Sequence, residues 1–404
     1  MKEGIITMKY GFSEKVKYLK SSAVRDILKV INQGNIISFA GGLPEEKLFP
    51  TEAVSQAFHK AVTSNRKALQ YGETEGVTEL RQWLANRMNN KGINRSFEDI
   101  LITSGSQQAI DLFSRVMFDQ GDVILAENPT YLAALQVFES YGTKVVGVDS
   151  DEDGMVISDL EKKITKWKPK CIYVVPTFSN PTGKVWSLER RKQILQLAEK
   201  YHVVIFEDDP YGELKFSSGD VPPPIASLDK KGLVLYTSTF SKTVVPAMRI
   251  GWIAGPHQII RIMAQAKQAT DLHTNSISQH ALVHLVNDFD IDQHIETIRA
   301  TYYERMLVMK DLLDRVDMEG LEYLEPKGGM FFWVKLPEGI NTEVMLADAV
   351  KEGVAFVPGA PFYVDNVKQN TLRMNFTNSE PAIIEEGMRR FVKVLEQNKT
   401  TTIG

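Results

Sequence analysis

From about residue 100 the chain alternates short aliphatic and β-branched runs with stretches whose apolar positions recur every three to four residues. The runs ILITSG (100–105), DVILAE (122–127), KVVGVD (144–149), CIYVVP (171–176), VVIFED (203–208), LVLYTSTF (233–240) and RIGWIAG (249–255) read as strands. Between them SQQAIDLFSRVMF (106–118), a segment from about Tyr131, and SLERRKQILQLAEKYH (187–202) read as helices. The last carries Ile194, Leu195, Leu197 and Ala198 on one face. Near-continuous apolar strands separated by amphipathic helices predict an α/β fold, with a mainly parallel seven-stranded sheet between helices. In such a sheet the ligand lies at the carboxyl ends of the strands.

After about residue 290 the pattern changes. A long polar helix runs from Ile291 towards Val316, and LEYLEPKGGMFFWVKLP (321–337) reads as paired strands with a Gly-Gly turn. VAFVPG (354–359) and TLRMNF (371–376) predict further strands, and AIIEEGMRRFVKVLEQ (382–397) an amphipathic helix. This division predicts a large domain over 51–294 and a smaller α+β domain over 295–404, with residues 1–50 packing against the smaller one.

Composition narrows the class. Of 404 residues 43% are hydrophobic and 24% charged, which excludes a disordered chain, a collagen-like rod and a disulfide scaffold. Forty-seven basic against fifty-one acidic residues give a net charge of −4, with no basic stripe, so no nucleic-acid partner is expected. The single cysteine, Cys171, lies mid-strand and fits a core position in a reducing cytosol. Seven histidines show no metal-like spacing, so no metal site is expected. No stretch approaches the roughly 18 apolar residues of a membrane span, and the first twenty lack a signal-peptide core. The sequence therefore predicts a soluble cytoplasmic protein.

Four stretches put polar residues at strand ends. FSNPTG (178–183) and FEDDPYGEL (206–214) read singly as a turn and a helix cap. In TSTFSKTVVPAMRIGW (237–252), Lys242 sits between two apolar strands among Thr239, Ser241 and Arg249, a set suited to a phosphate group. In TSGSQQAI a Gly-Ser pair opens a helix, whose exposed N–H groups and Ser106 hydroxyl again suit a phosphate. One cofactor requires all of these together with Tyr131, Asn180, Asp208, Tyr211 and Arg373: pyridoxal 5′-phosphate.

FAGGLPEEKLFP, LQYGETEG, NPTY, SNPTG, EDDPY, SKTVVPAMRIGW, PKGGMFFW and LRMNF fall in one order along nearly the whole chain. In that order they resemble the fold-type-I pyridoxal-phosphate aminotransferases of class I/II, nearest the α-aminoadipate and kynurenine aminotransferase branch. The resemblance implies that Lys242 is the Schiff-base lysine and Asp208 the partner of the pyridine nitrogen. It gives Asn180 and Tyr211 the ring's phenolic oxygen, and Tyr131 the ring face. Ser106, the Gln107 backbone, Thr239, Ser241 and Arg249 would hold the phosphate, joined by Tyr71 from a second subunit, which implies a homodimer with shared active sites. Arg249 and partial desolvation are expected to lower the Lys242 pKa.

The same resemblance makes Arg373 the site of the substrate α-carboxylate. It makes Gly42, in FAGGLP, and Phe331 pocket walls. Arg25, on a helix expected over 21–29, would meet a distal carboxylate; equally, it reads as an exposed helix arginine paired with Asp26. An apolar lining discriminates by only about 1–3 kcal/mol per methylene, so broad amino-acid acceptance is expected, with 2-oxoglutarate as amine acceptor. A β-lyase or another reaction on the same fold is the alternative. A pyridoxal-phosphate-binding transcription regulator is disfavoured, because only about forty residues precede FAGGLP and the net charge is −4.

Overall fold

The computed structural model describes residues 10–19, 36–216 and 221–400. Its main sheet has seven strands: Ile100–Thr103 (β1), Val123–Glu127 (β2), Lys144–Val148 (β3), Cys171–Val174 (β4), Val204–Asp208 (β5), Val234–Thr239 (β6) and Gly251–Ala254 (β7). Their order is β1-β7-β6-β5-β4-β2-β3. All pairs are parallel except those of β7, which runs antiparallel to both β1 and β6.

Both faces of this sheet are covered, which is why its strands read as continuous apolar runs. Leu101, Ile124, Ala126, Tyr173, Phe206, Leu235 and Ile253 pack on one side against helices Ser106–Met117 and His257–Gln268. Leu125, Val146, Ile172, Val174 and Ile205 pack on the other against Ile157–Trp167 and Leu188–Tyr201. The Leu188–Tyr201 helix starts where the Ser187 side chain accepts from the Arg190 N–H, and it closes at His202 in a left-handed cap.

The second sheet joins Glu322–Tyr323 (β8), Phe331–Lys335 (β9), Val357–Pro358 (β10) and Thr371–Asn375 (β11) in the antiparallel order β8-β9-β11-β10. Phe332, Val334, Leu372 and Met374 form its core with Tyr302, Met306 and Met309 of the helix Ile291–Asp314 and with Ile384, Met388 and Phe391 of Pro381–Thr400. VAFVPG is not one strand. Val354–Ala355 pairs in parallel with Ile37–Ser38, while Val357–Pro358 turns into the second sheet, so one apolar run serves two ladders. Among the described residues no helix is long and apolar enough to cross a membrane.

Candidate active site

The turns that leave β1, β4, β5 and β6 converge at one edge of the main sheet. With Arg373 of β11 and Gly42 they enclose a cavity of about 790 Å³. Ser106, Gln107, Tyr131, Asn180, Asp208, Tyr211, Thr239, Ser241, Lys242 and Arg249 all line it. Tyr71 does not: it is 79% exposed, in edge-on contact with the His273 ring at 6.0 Å. Phe331 lies buried behind Gly42, where an added Cβ would come within 3.0 Å of its ring. Arg25 and the helix expected around it fall outside the described residues.

At one end of the cavity, Gly105 turns the chain at φ +78 into the helix of Ser106, whose first N–H groups have no partner within the helix. Arg249 packs so closely that a Cβ on Gly105 would meet its Nη2 at 2.7 Å. Arg249 Nη1 donates to Ser241 Oγ at 3.4 Å, and the Thr239 hydroxyl lies 2.9 Å from the same oxygen. Hydroxyls, free N–H groups and a guanidinium thus meet at one point, a donor set that fits a phosphate.

Lys242 ends the turn Phe240–Lys242 and donates to the Gly42 carbonyl at 2.7 Å. Its pKa falls from 10.5 to about 8; burial is the largest cause, then Arg373, then Arg249. The sequence named Arg249 and desolvation. The Arg373 contribution required knowing that the second sheet reaches this lysine.

Asp208 ends β5 with one oxygen, Oδ2, accepting from the Tyr173 hydroxyl at 2.8 Å. The other, Oδ1, is buried with no partner among the described residues. Burial pushes this carboxyl up to about 7, against the lowering effect of Tyr173 and with a smaller raising effect from Asp209. Asn180 Nδ2 donates to the Tyr211 hydroxyl at 3.3 Å, and burial raises the Tyr211 pKa. The Tyr131 hydroxyl donates to Gln107 Oε1 at 3.4 Å.

Arg373 lies between the rings of Phe331, at 4.2 Å from the centroid, and Phe362, at 5.2 Å. Its Nη1 donates to Asn180 Oδ1 and its Nη2 to the Ala40 carbonyl, both at 2.7 Å, while Nε is buried without a partner among the described residues. Burial lowers its pKa to about 10. An orphaned carboxylate oxygen, an underused guanidinium and a phosphate cradle around one amine are the complement of pyridoxal phosphate carrying an amino acid.

The sequence passed over Tyr173 and Phe362. A lone tyrosine in the fully buried strand Cys171–Val174 is the signal that marks the first, because a buried hydroxyl requires a partner. It also missed the group behind the phosphate turn. There Lys267 donates to Gln108 Oε1 at 2.7 Å and to Asp271 at 2.9 Å, and Gln108 Oε1 accepts the Ser104 N–H at 2.8 Å.

The family model for aminotransferase class I and II matches residues 35–391. The chain is 42% identical to the aromatic-amino-acid aminotransferase 1 of Thermococcus litoralis, over 96% of this chain and 94% of that one. It is 35% identical to the 2-aminoadipate transaminase of Thermus thermophilus, over 96% of each. Its fold superposes with a TM-score of 0.91 on the Pyrococcus horikoshii kynurenine aminotransferase, solved with PMP; identity is 42%, and coverage is 96% of this chain and 97% of that one.

Proposed function

The chain belongs to the class I and II aminotransferases and is a pyridoxal-phosphate-dependent transaminase of fold type I; on that premise we propose how its own residues divide the work. Bound pyridoxal phosphate supplies an electron sink that acidifies the Cα–H of an attached amino acid. Lys242 Nζ would hold the cofactor and, once substrate has displaced it, its free amine would accept and carry the proton of the substrate Cα. Asp208 keeps the ring nitrogen protonated, and Asn180 with Tyr211 hydrogen-bonds the ring oxygen. Tyr131 covers the ring face. Ser106, the Gln107 N–H, Thr239, Ser241 and Arg249 hold the phosphate, and Arg373 holds the substrate carboxylate against Gly42. The observation that carries this assignment is the convergence of Lys242, the unpartnered Asp208 oxygen, Arg249 and Arg373 on a single cavity.

The amino donors are broad, of aromatic, aminoadipate or branched-chain type, with 2-oxoglutarate as acceptor. Support comes from the relatives' named activities and from the apolar stretch of the cavity wall formed by Phe362, Leu132 and Val137. The working form is a cytoplasmic homodimer. The exposed Tyr71 has no role in its own cavity, and exposed Leu69 and Leu272 flank the Tyr71–His273 pair in sequence, as a subunit contact requires. The two-domain division at 51–294 and 295–404, with 1–50 joined to the smaller unit, fits the pairing of Ile37–Ser38 with Val354–Ala355.

Mixing the loaded enzyme with a panel of amino acids and following its visible absorbance tests the function. Loss of the visible band with each accepted donor, and its return on adding 2-oxoglutarate, is the expected result. Irreversible bleaching with release of ammonia would favour the lyase alternative.

A further inference from the structure

Tyr173 is fully buried in β4, and its hydroxyl is committed to one acceptor, Asp208 Oδ2 at 2.8 Å. The reach follows from sheet geometry. Tyr173 is the register partner of Phe206 in the neighbouring strand β5, and Asp208 lies two residues further on the same face. The phenol cannot swing away. Phe138 meets it edge-on with ring centroids at 5.3 Å, Phe206 lies at 6.0 Å, and Phe113 stands against Phe206 at 4.8 Å.

A carboxylate offers two oxygens and turns freely about its last bond unless one oxygen is fixed. Here one is fixed from beneath and the other carries no partner among the described residues, although Asp208 itself lines the cavity. Burial pushes the phenol pKa far up, so Tyr173 is a donor and never a competing anion. The carboxylate is thereby held in one rotamer, with a charge-strengthened bond that favours its ionised form.

We propose that Tyr173 is a positioning residue for Asp208, holding one carboxylate oxygen so that the other is presented to the cofactor's ring nitrogen. This rests on the assignment of Asp208 to that nitrogen, and the test separates the two. Y173F keeps the ring in its aromatic packing and removes only the donor. Affinity is measured by absorbance titration of the full-length protein with pyridoxal phosphate and with its 1-deaza analogue, which has carbon in place of the ring nitrogen. Loss of a hydrogen bond to a charged group predicts about ten-fold weaker binding of pyridoxal phosphate by Y173F, with the deaza analogue unaffected.

D208A is expected to lose the same preference more completely. If Y173F weakens both ligands equally, or neither, Tyr173 acts only in packing and the proposal falls. If D208A also treats the two ligands as wild type does, the Asp208 assignment falls and takes the proposal with it. A second readout, the 15N shift of ring-labelled cofactor, does not depend on affinity. The nitrogen should lose its proton at lower pH in Y173F than in wild type, and an unchanged titration would overturn the proposal.

Discussion

Replacing Lys242 with methionine should stabilise the cofactor-free protein while removing its chemistry. The amine is half-buried beside two guanidinium groups, and its pKa in the folded chain is about 8 against 10.5 in the unfolded one. One pKa unit corresponds to 1.36 kcal/mol, so keeping this ammonium folded at neutral pH costs about 3 kcal/mol. Water in the open cavity reduces that, and methionine also forgoes the bond to the Gly42 carbonyl. A net gain of roughly 1–2 kcal/mol at pH 7 remains. The sign is fixed by the direction of the shift. For a lysine whose folded pKa is depressed, the penalty is full below the folded value, fades between the folded and unfolded values, and is gone above the unfolded one. Urea denaturation of both proteins, stripped of cofactor, should therefore give K242M the higher midpoint at pH 7, and the gap should close above about pH 10. A variant no more stable at pH 7, or a gain independent of pH, would refute the electrostatic account of this lysine.

R249A should bind pyridoxal phosphate roughly 10- to 100-fold more weakly, because a charge-assisted phosphate contact is lost, as read by absorbance titration in phosphate-free buffer; unchanged affinity would remove Arg249 from the cradle. R373K should lower kcat/KM for all amino donors by about 100-fold with cofactor affinity intact, since a point charge cannot replace two fixed donors; steady-state kinetics with several donors checks both halves. Mixing inactive Y71A and K242A proteins should restore activity to about a quarter of wild type, because half the reassorted dimers would carry one native site; no recovery after verified subunit exchange would remove Tyr71 from a shared site. R25A should cost acidic donors selectively, and equal losses for acidic and aromatic donors would count against a distal-carboxylate contact.

The main sheet was legible because each of its strands is buried on both faces, which leaves an unbroken apolar run that survives without knowledge of the partners. The antiparallel β7 was not, because RIGWIAG carries no mark of direction; Arg249 in a left-handed turn at φ +53 reverses the path before it. VAFVPG misled for a related reason. Its continuous apolarity reports burial, and burial in two successive ladders looks the same as burial in one. At the site, residues that announce themselves as polar groups at strand ends, such as Asp208, Asn180 and Lys242, were found. Tyr173 escaped because its polar atom is hidden at the tip of an apolar ring. Arg373 was found through the motif LRMNF, but its influence on Lys242 was not, since that depends on how closely the second sheet approaches the first.

That approach gives the cavity a changing electrostatic character under the proposed roles. Without ligands, burial, Arg373 and Arg249 all act in the same direction on Lys242, and the amine is held closer to its neutral form. At pH 7 a pKa of about 8 leaves roughly one amine in ten unprotonated, against about one in three thousand at 10.5. A phosphate against Arg249 and a substrate carboxylate against Arg373 neutralise the two cations in turn. Each binding event removes a repulsion and makes the Lys242 amine more basic. The lysine is therefore most nucleophilic when it must capture the cofactor, and most basic when a substrate is seated and a proton must leave Cα. Arg373 is tied by Nη1 to Asn180 and by Nη2 to the Ala40 carbonyl, so it cannot withdraw from Lys242 when no substrate is present. Its charge is a fixed part of the site, and the arrival of a carboxylate is the event that changes it.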